Sequence, residues 1–160
     1  MCEELVSRYQ EMFGKAFKDD LEMQKRYTLF AINYVMHHEI GHALVDEYNL
    51  PVIGREENFA DRFAAYEMIE EYGGASLAPA IAWYMAESSH GVIEIFGIDI
   101  VLDKSVYAGR HNLNAQRGYD MGCLAYGELL TSGENKSMLK SLESLLEGKI
   151  SKQQCMYDYQ

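Results

Sequence analysis

Positive charge is scarce in this sequence of 160 residues: 14 Lys and Arg stand against 25 Asp and Glu, a formal net charge of -11 at pH 7. A nucleic-acid partner needs a basic face to neutralise phosphates, and docking on anionic lipid needs the same; no such face is visible. Long apolar runs are also missing. No stretch reaches the roughly 18 apolar residues of a transmembrane helix, so no membrane span is expected. Cysteine is sparse. Cys2, Cys123 and Cys155 are too few for a disulfide scaffold. They permit one bridge with one thiol left over. Cys123 with Cys155 is the natural pair, since it would tie a C-terminal segment to a helix; buried free thiols are the alternative.

The opening stretch "MCEELVSRYQEMFGKAFKDD" is charged and helix-like from the start and lacks a signal-peptide pattern. Cytoplasmic residence is the expectation, unless an export signal has been removed. No repeat, low-complexity tract or linker divides the chain, and 48% apolar with 24% charged residues is ordinary for a globular protein. One domain over 1–160 is expected, long enough to bury a core.

What is present is helical periodicity. Leu5, Val6, Tyr9, Met12, Phe13, Ala16 and Phe17 recur at three-and-four spacing and predict a helix over 3–19. A second helix is predicted over 27–48, ended by Asn49 and by Pro51, which cannot continue it. "REENFADRFAAYEMIEEYGG" predicts a third, with acids at its start and Gly73-Gly74 at its end. Further helices are predicted over 77–88, 112–130 and 135–147, with Pro79 tolerated in a first turn. "GVIEIFGIDIVL" is β-branched enough to hold a strand. The fold class expected is mainly α: one helical domain with a short strand or hairpin.

The chemistry concentrates in "VMHHEIGHALVDEYNLPVIGREENFADRFAAY", residues 35–66. His38 and His42 lie four apart in a helix, so both rings project from one face, one turn apart. Two imidazoles so placed can bind one zinc ion. Glu39, next to the first ligand, can reach a water at the metal without being a ligand, which is the general-base role in the H-E-x-x-H pattern. A five-residue pattern recurs by chance and needs context. Catalytic zinc takes a third protein ligand and keeps a fourth position open. Glu57 and Asp61, four apart on the next helix, offer that ligand and a partner for the outer N–H of a ligand histidine. Glu56 reads as a solvated first-turn acid. Gly41 and Ala43 beside His42, with Ala60, Ala64 and Ala65 opposite, leave room for close packing. The metzincin pattern is excluded, because Val45 and Tyr48 stand where it needs glycine and histidine. A glutamate on a second helix is the gluzincin solution.

"HEIGHALVDEYNLPVIGREENFAD" closely resembles the signature of a bacterial family described as "putative metallopeptidases", a domain of unknown function with an HExxH core. "HNLNAQRGYDMGCLAYG" is similar to that family's downstream block, matching it at His111, Arg117, Cys123 and Tyr126-Gly127; Cys155 fits a cysteine near the C-terminus. The resemblance spans roughly residues 27–155. It implies a zinc-dependent, gluzincin-like fold, often in exported proteins, and no known substrate. Tyr119-Asp120 departs from the more apolar stretch expected after Gly118.

A gluzincin also needs a donor aimed at the oxyanion of its tetrahedral intermediate. His111 is the first choice, Tyr107 the next and Arg117 the third. His37 points about 100° away from His38, into the core or behind the ligands, and His90 before Gly91 reads as a helix cap. The function expected is hydrolysis of peptide or related amide bonds, with one zinc per chain and a peptide or protein as substrate. The alternative is a non-catalytic zinc-bound domain that binds a partner protein. A Cys123–Cys155 bridge would favour a periplasmic or secreted protein over a cytoplasmic one.

Overall fold

The computed structural model describes residues 3–88, 92–95, 98–101, 111–147 and 151–159. The architecture is mainly α. Helix α1 covers Glu3–Ala16, α2 Leu21–Tyr48, α3 Glu56–Tyr72, α4 Ala78–Ser88, α5 His111–Ser132, α6 Lys136–Leu146 and α7 Lys152–Tyr159. A single 3-10 turn, Gly74–Leu77, leads into α4. Strands β1 (Val92–Ile95) and β2 (Ile98–Val101) form an antiparallel hairpin with Val92 opposite Val101.

The helix ends follow their local chemistry. The Asn49 backbone adopts a left-handed conformation with φ 48°, and Leu50 N–H donates to Val45 O at 3.1 Å, which closes α2 where it was expected to close. Gly73, at φ 76°, ends α3. Asn135 accepts a bond from Met138 N–H and opens α6. The start of α2 lies six residues before the expected Tyr27. Asp20 caps it by accepting from Met23 N–H at 3.0 Å, and Leu21 is solvent-exposed, so apolar spacing carries no trace of this first turn. Helix α1 stops at Ala16 rather than 19.

Two helices lie deepest. From Ala78 to Ala86 α4 is buried throughout, and α5 is buried from Met121 to Leu129. Phe13, Met68, Leu77, Ile81, Met121 and Leu142 are each under 2% exposed. Each such side chain contributes about 1.5–3 kcal/mol of burial. Helix α6 adds Met138, Leu142 and Leu146, one stripe at four-residue spacing, packed on α5 at Gly122.

The C-terminal segment, for which no helix was predicted, forms α7. It docks on α5, where the Cys123–Cys155 disulfide joins the two helices. A Cβ at Gly127 would meet Cys155 O and Tyr159 Cβ at 2.7 Å, so only glycine admits α7 this close. Tyr66 of α3 donates to Asp158 O at 2.8 Å and fixes the other side of α7. Among the described residues no helix is long and apolar enough to cross a membrane.

Candidate metal centre

The site is built where α2 crosses α3. Close approach starts at Gly41: a Cβ there would lie 2.9 Å from Ala60 Cα and 3.3 Å from Ala60 Cβ. Ala60, Ala64 and Ala65 are all fully buried. Ala43, expected to share this role, is exposed on the far side of α2 and takes no part.

With the two backbones this close, three side chains converge. His38 Nε2 and His42 Nε2 are 3.1 Å apart. Glu57, from the first turn of α3, places Oε2 3.5 Å from His38 Nε2 and Oε1 3.5 Å from His42 Nε2. All three groups offer ligand atoms within 4.8 Å of one another. The opposite ring nitrogens are each turned to a carboxylate. His42 Nδ1 lies 2.6 Å from Glu56 Oε1, and His38 Nδ1 lies 2.9 Å from Asp61 Oδ1. The Asp61 contact has the distance of a hydrogen bond but not its alignment, because His38 Nδ1 has no partner in line with its N–H.

The donor set fits a cation. A carboxylate only accepts, so the outer carboxylates suit a proton on each Nδ1 and leave each Nε2 as the atom that would bind a metal. Those two nitrogens and the Glu57 carboxylate face one another. Tetrahedral zinc, with bonds of about 2.0–2.1 Å, sets its ligand atoms roughly 3.3–3.4 Å apart. The Nε2–Nε2 edge of 3.1 Å is close to that, and the two 3.5 Å contacts are made by different oxygens of Glu57, one facing each ring.

Beneath the site, Asp61 gathers donors. Tyr34 OH donates to Oδ1 at 2.8 Å, and Arg117 donates to both oxygens, Nε to Oδ2 at 2.6 Å and Nη2 to Oδ1 at 2.7 Å. Arg117 also lies 3.6 Å from Glu57 Oε2 and stacks 4.3 Å over the Tyr84 ring. Burial alone would raise the Asp61 carboxyl; His38, Arg117 and Tyr34 outweigh it and hold the group below its usual range. Burial pushes the Tyr34 hydroxyl well up, with Tyr84 and Asp61 adding to it, so Tyr34 stays a neutral donor. His42 is shifted up, first by its bond to Glu56.

Two of these partners escape the sequence reading. Glu56 is not a free solvated acid: its carboxylate holds His42. Only its position beside Glu57 hints at this. Tyr34 is one turn before His38, on the same face, and that spacing was a usable signal. Glu39 is exposed, and its charge acts on His42. His37 turns from the site, its Nδ1 2.9 Å from Asn33 O. Arg117, third choice as an oxyanion donor, has Nε and Nη2 engaged with Asp61. His111 is the first residue of α5, and its side chain lies outside the described residues, as do Tyr107, His90 and Cys2.

No curated protein and no solved structure matches the sequence. A family model with the description "Putative metallopeptidase" matches residues 1–160, and the chain therefore belongs to that family.

Proposed function

We propose that the protein is a zinc-dependent, gluzincin-like metallopeptidase in which residues 1–160 act as one domain. One observation carries this reading: two ring nitrogens and one glutamate converge at 3.1–3.5 Å, while both outer ring nitrogens face carboxylates. His38, His42 and Glu57 would hold one zinc per chain. The metal would supply Lewis acidity, polarising the scissile carbonyl and making a water acidic near neutral pH.

The remaining work falls to the chain's own groups. Glu39 is exposed beside the first ligand and is not drawn into the ligand cluster. It accepts the proton of the attacking water and returns it to the leaving nitrogen. Asp61 and Glu56 hold the two rings in the tautomer that leaves Nε2 free. A donor for the developing oxyanion is still required; His111 is the first candidate, Tyr107 the second and Arg117 the third. The substrate is a peptide or protein. Three ligands plus an available carboxylate favour catalysis over a structural site, which would be closed by a fourth protein ligand.

The Cys123–Cys155 bridge supports work in an oxidising compartment, periplasmic or secreted.

The test is elemental analysis of protein purified without added metal, followed by incubation with a peptide library. About one zinc per chain and cleavage abolished by Glu39→Gln are expected. Folded protein that neither contains nor takes up zinc overturns the reading.

A further inference from the structure

We propose that Arg117 is a positioning residue for the metal ligands, acting through Asp61 on His38 and directly on Glu57. The proposal rests on the zinc reading and adds to it a part played by α5, a helix that contributes no ligand.

Asp61 Oδ1 accepts from Tyr34 OH at 2.8 Å and from Arg117 Nη2 at 2.7 Å, and it lies 2.9 Å from His38 Nδ1. A carboxylate contacted by one hydroxyl and one ring can still rotate about its last bond. The guanidinium removes that freedom, because its two parallel bonds, at 2.6 and 2.7 Å, fix the plane of the carboxylate. The orientation of His38 then follows from the plane of Asp61. The same guanidinium reaches Glu57: Nη2 is 3.6 Å from Oε2, the oxygen that faces His38. Glu57 is otherwise half-exposed, so this cation restrains the most exposed of the three ligands.

Arg117 is itself held still. Its guanidinium lies 4.3 Å over the Tyr84 ring, a packed and desolvated cation–π contact. The next residue, Gly118, brings the α5 backbone hard against α4, since a Cβ there would lie 2.8 Å from Met85 Sδ. The backbone that carries Arg117 is therefore seated on α4, and α4 also supplies the ring beneath the guanidinium. Lysine in this place would keep the charge and lose the fork.

The experiment compares wild type with Arg117→Met, Arg117→Lys, Asp61→Asn and the Arg117→Met/Asp61→Asn pair. Zinc affinity is read by competition with a chromophoric chelator. The cobalt-substituted proteins give visible spectra that report ligand geometry, and thermal unfolding is followed without metal. Arg117→Met should still bind one zinc, about 10- to 100-fold more weakly, with an altered cobalt spectrum. Arg117→Lys should recover only part of the affinity. In the Asp61→Asn background the effect of Arg117→Met should shrink, because the path to His38 is already cut. If Arg117→Met does not fold, Arg117→Lys carries the test, with the same spectrum and affinity as readouts. Lowered metal-free stability with wild-type zinc affinity and an unchanged cobalt spectrum would make Arg117 purely structural and overturn the proposal alone. A wild type that takes up no zinc would overturn the zinc reading first, and this with it.

Discussion

Glu56 and Glu57 divide one imidazole between them: Glu56 Oε1 lies 2.6 Å from His42 Nδ1, and Glu57 Oε1 lies 3.5 Å from His42 Nε2. Adjacent residues in the first turn of a helix point about 100° apart, which lets α3 end-on address both nitrogens of a ring on α2. One carboxylate orients the ring and the other faces the nitrogen that would bind the metal. Replacing each should therefore give different losses. Glu56→Gln should keep one zinc per chain and bind it roughly tenfold more weakly, the low end for an outer partner because the Glu56 side chain is 50% exposed. Glu57→Ala should lose far more. Chelator competition on both variants decides; equal losses would mean the two roles are misassigned.

Glu39→Gln should leave zinc content and unfolding temperature at wild-type values while removing hydrolysis. The amide cannot accept the proton of the attacking water, a contribution of about 10²- to 10⁴-fold. Metal analysis beside a turnover assay checks this. Loss of zinc in Glu39→Gln would show that Glu39 is a ligand and not the base.

Gly41→Ala should destabilise the fold by about 1–3 kcal/mol, the usual cost of forcing a methyl into a filled contact. The methyl would sit 2.9 Å from Ala60 Cα, a backbone atom that cannot swing aside. Urea unfolding gives the loss. Zinc affinity should fall in parallel, since the same contact sets the distance from His42 to Glu57. A stable Gly41→Ala with unchanged affinity would contradict this account of the crossing.

Removing the disulfide as Cys123→Ala/Cys155→Ala should cost roughly 3–4 kcal/mol by loop-closure entropy, given a sequence separation of 32 between the cysteines. Denaturant midpoints measure it, and peptide mapping without reductant should recover the two cysteines as one linked pair. Both recovered as free thiols would remove the bridge and the argument for an oxidising compartment.

How much of this was legible in the sequence depends on how local the signal was. The convergence of His38, His42, Glu57 and Asp61 could be read because spacing within each of two helices fixes which residues share a face. The helical class followed from the same periodicity, and the β-branched run over 91–102 correctly pointed to the hairpin. Glu56 could not be separated from its neighbour as anything but solvated, since its role depends on where α3 starts relative to α2. Helix α7 was missed because its stability is tertiary. It is eight residues long, and the bridge to Cys123, the gap at Gly127 and the bond from Tyr66 hold it in place. The role of Arg117 was hidden because it lies 56 positions along the chain from Asp61.

The contact of Gly41 with Ala60 also means that the site is set before any ion arrives. It joins main chain to main chain, so the spacing of α2 and α3 does not depend on any side chain that can shift to a second rotamer. Parting the helices to suit an ion would open a gap at Gly41. The choice among ions then falls to donor type and not to span: two imidazoles beside one carboxylate suit zinc or cobalt, whereas calcium takes oxygen ligands.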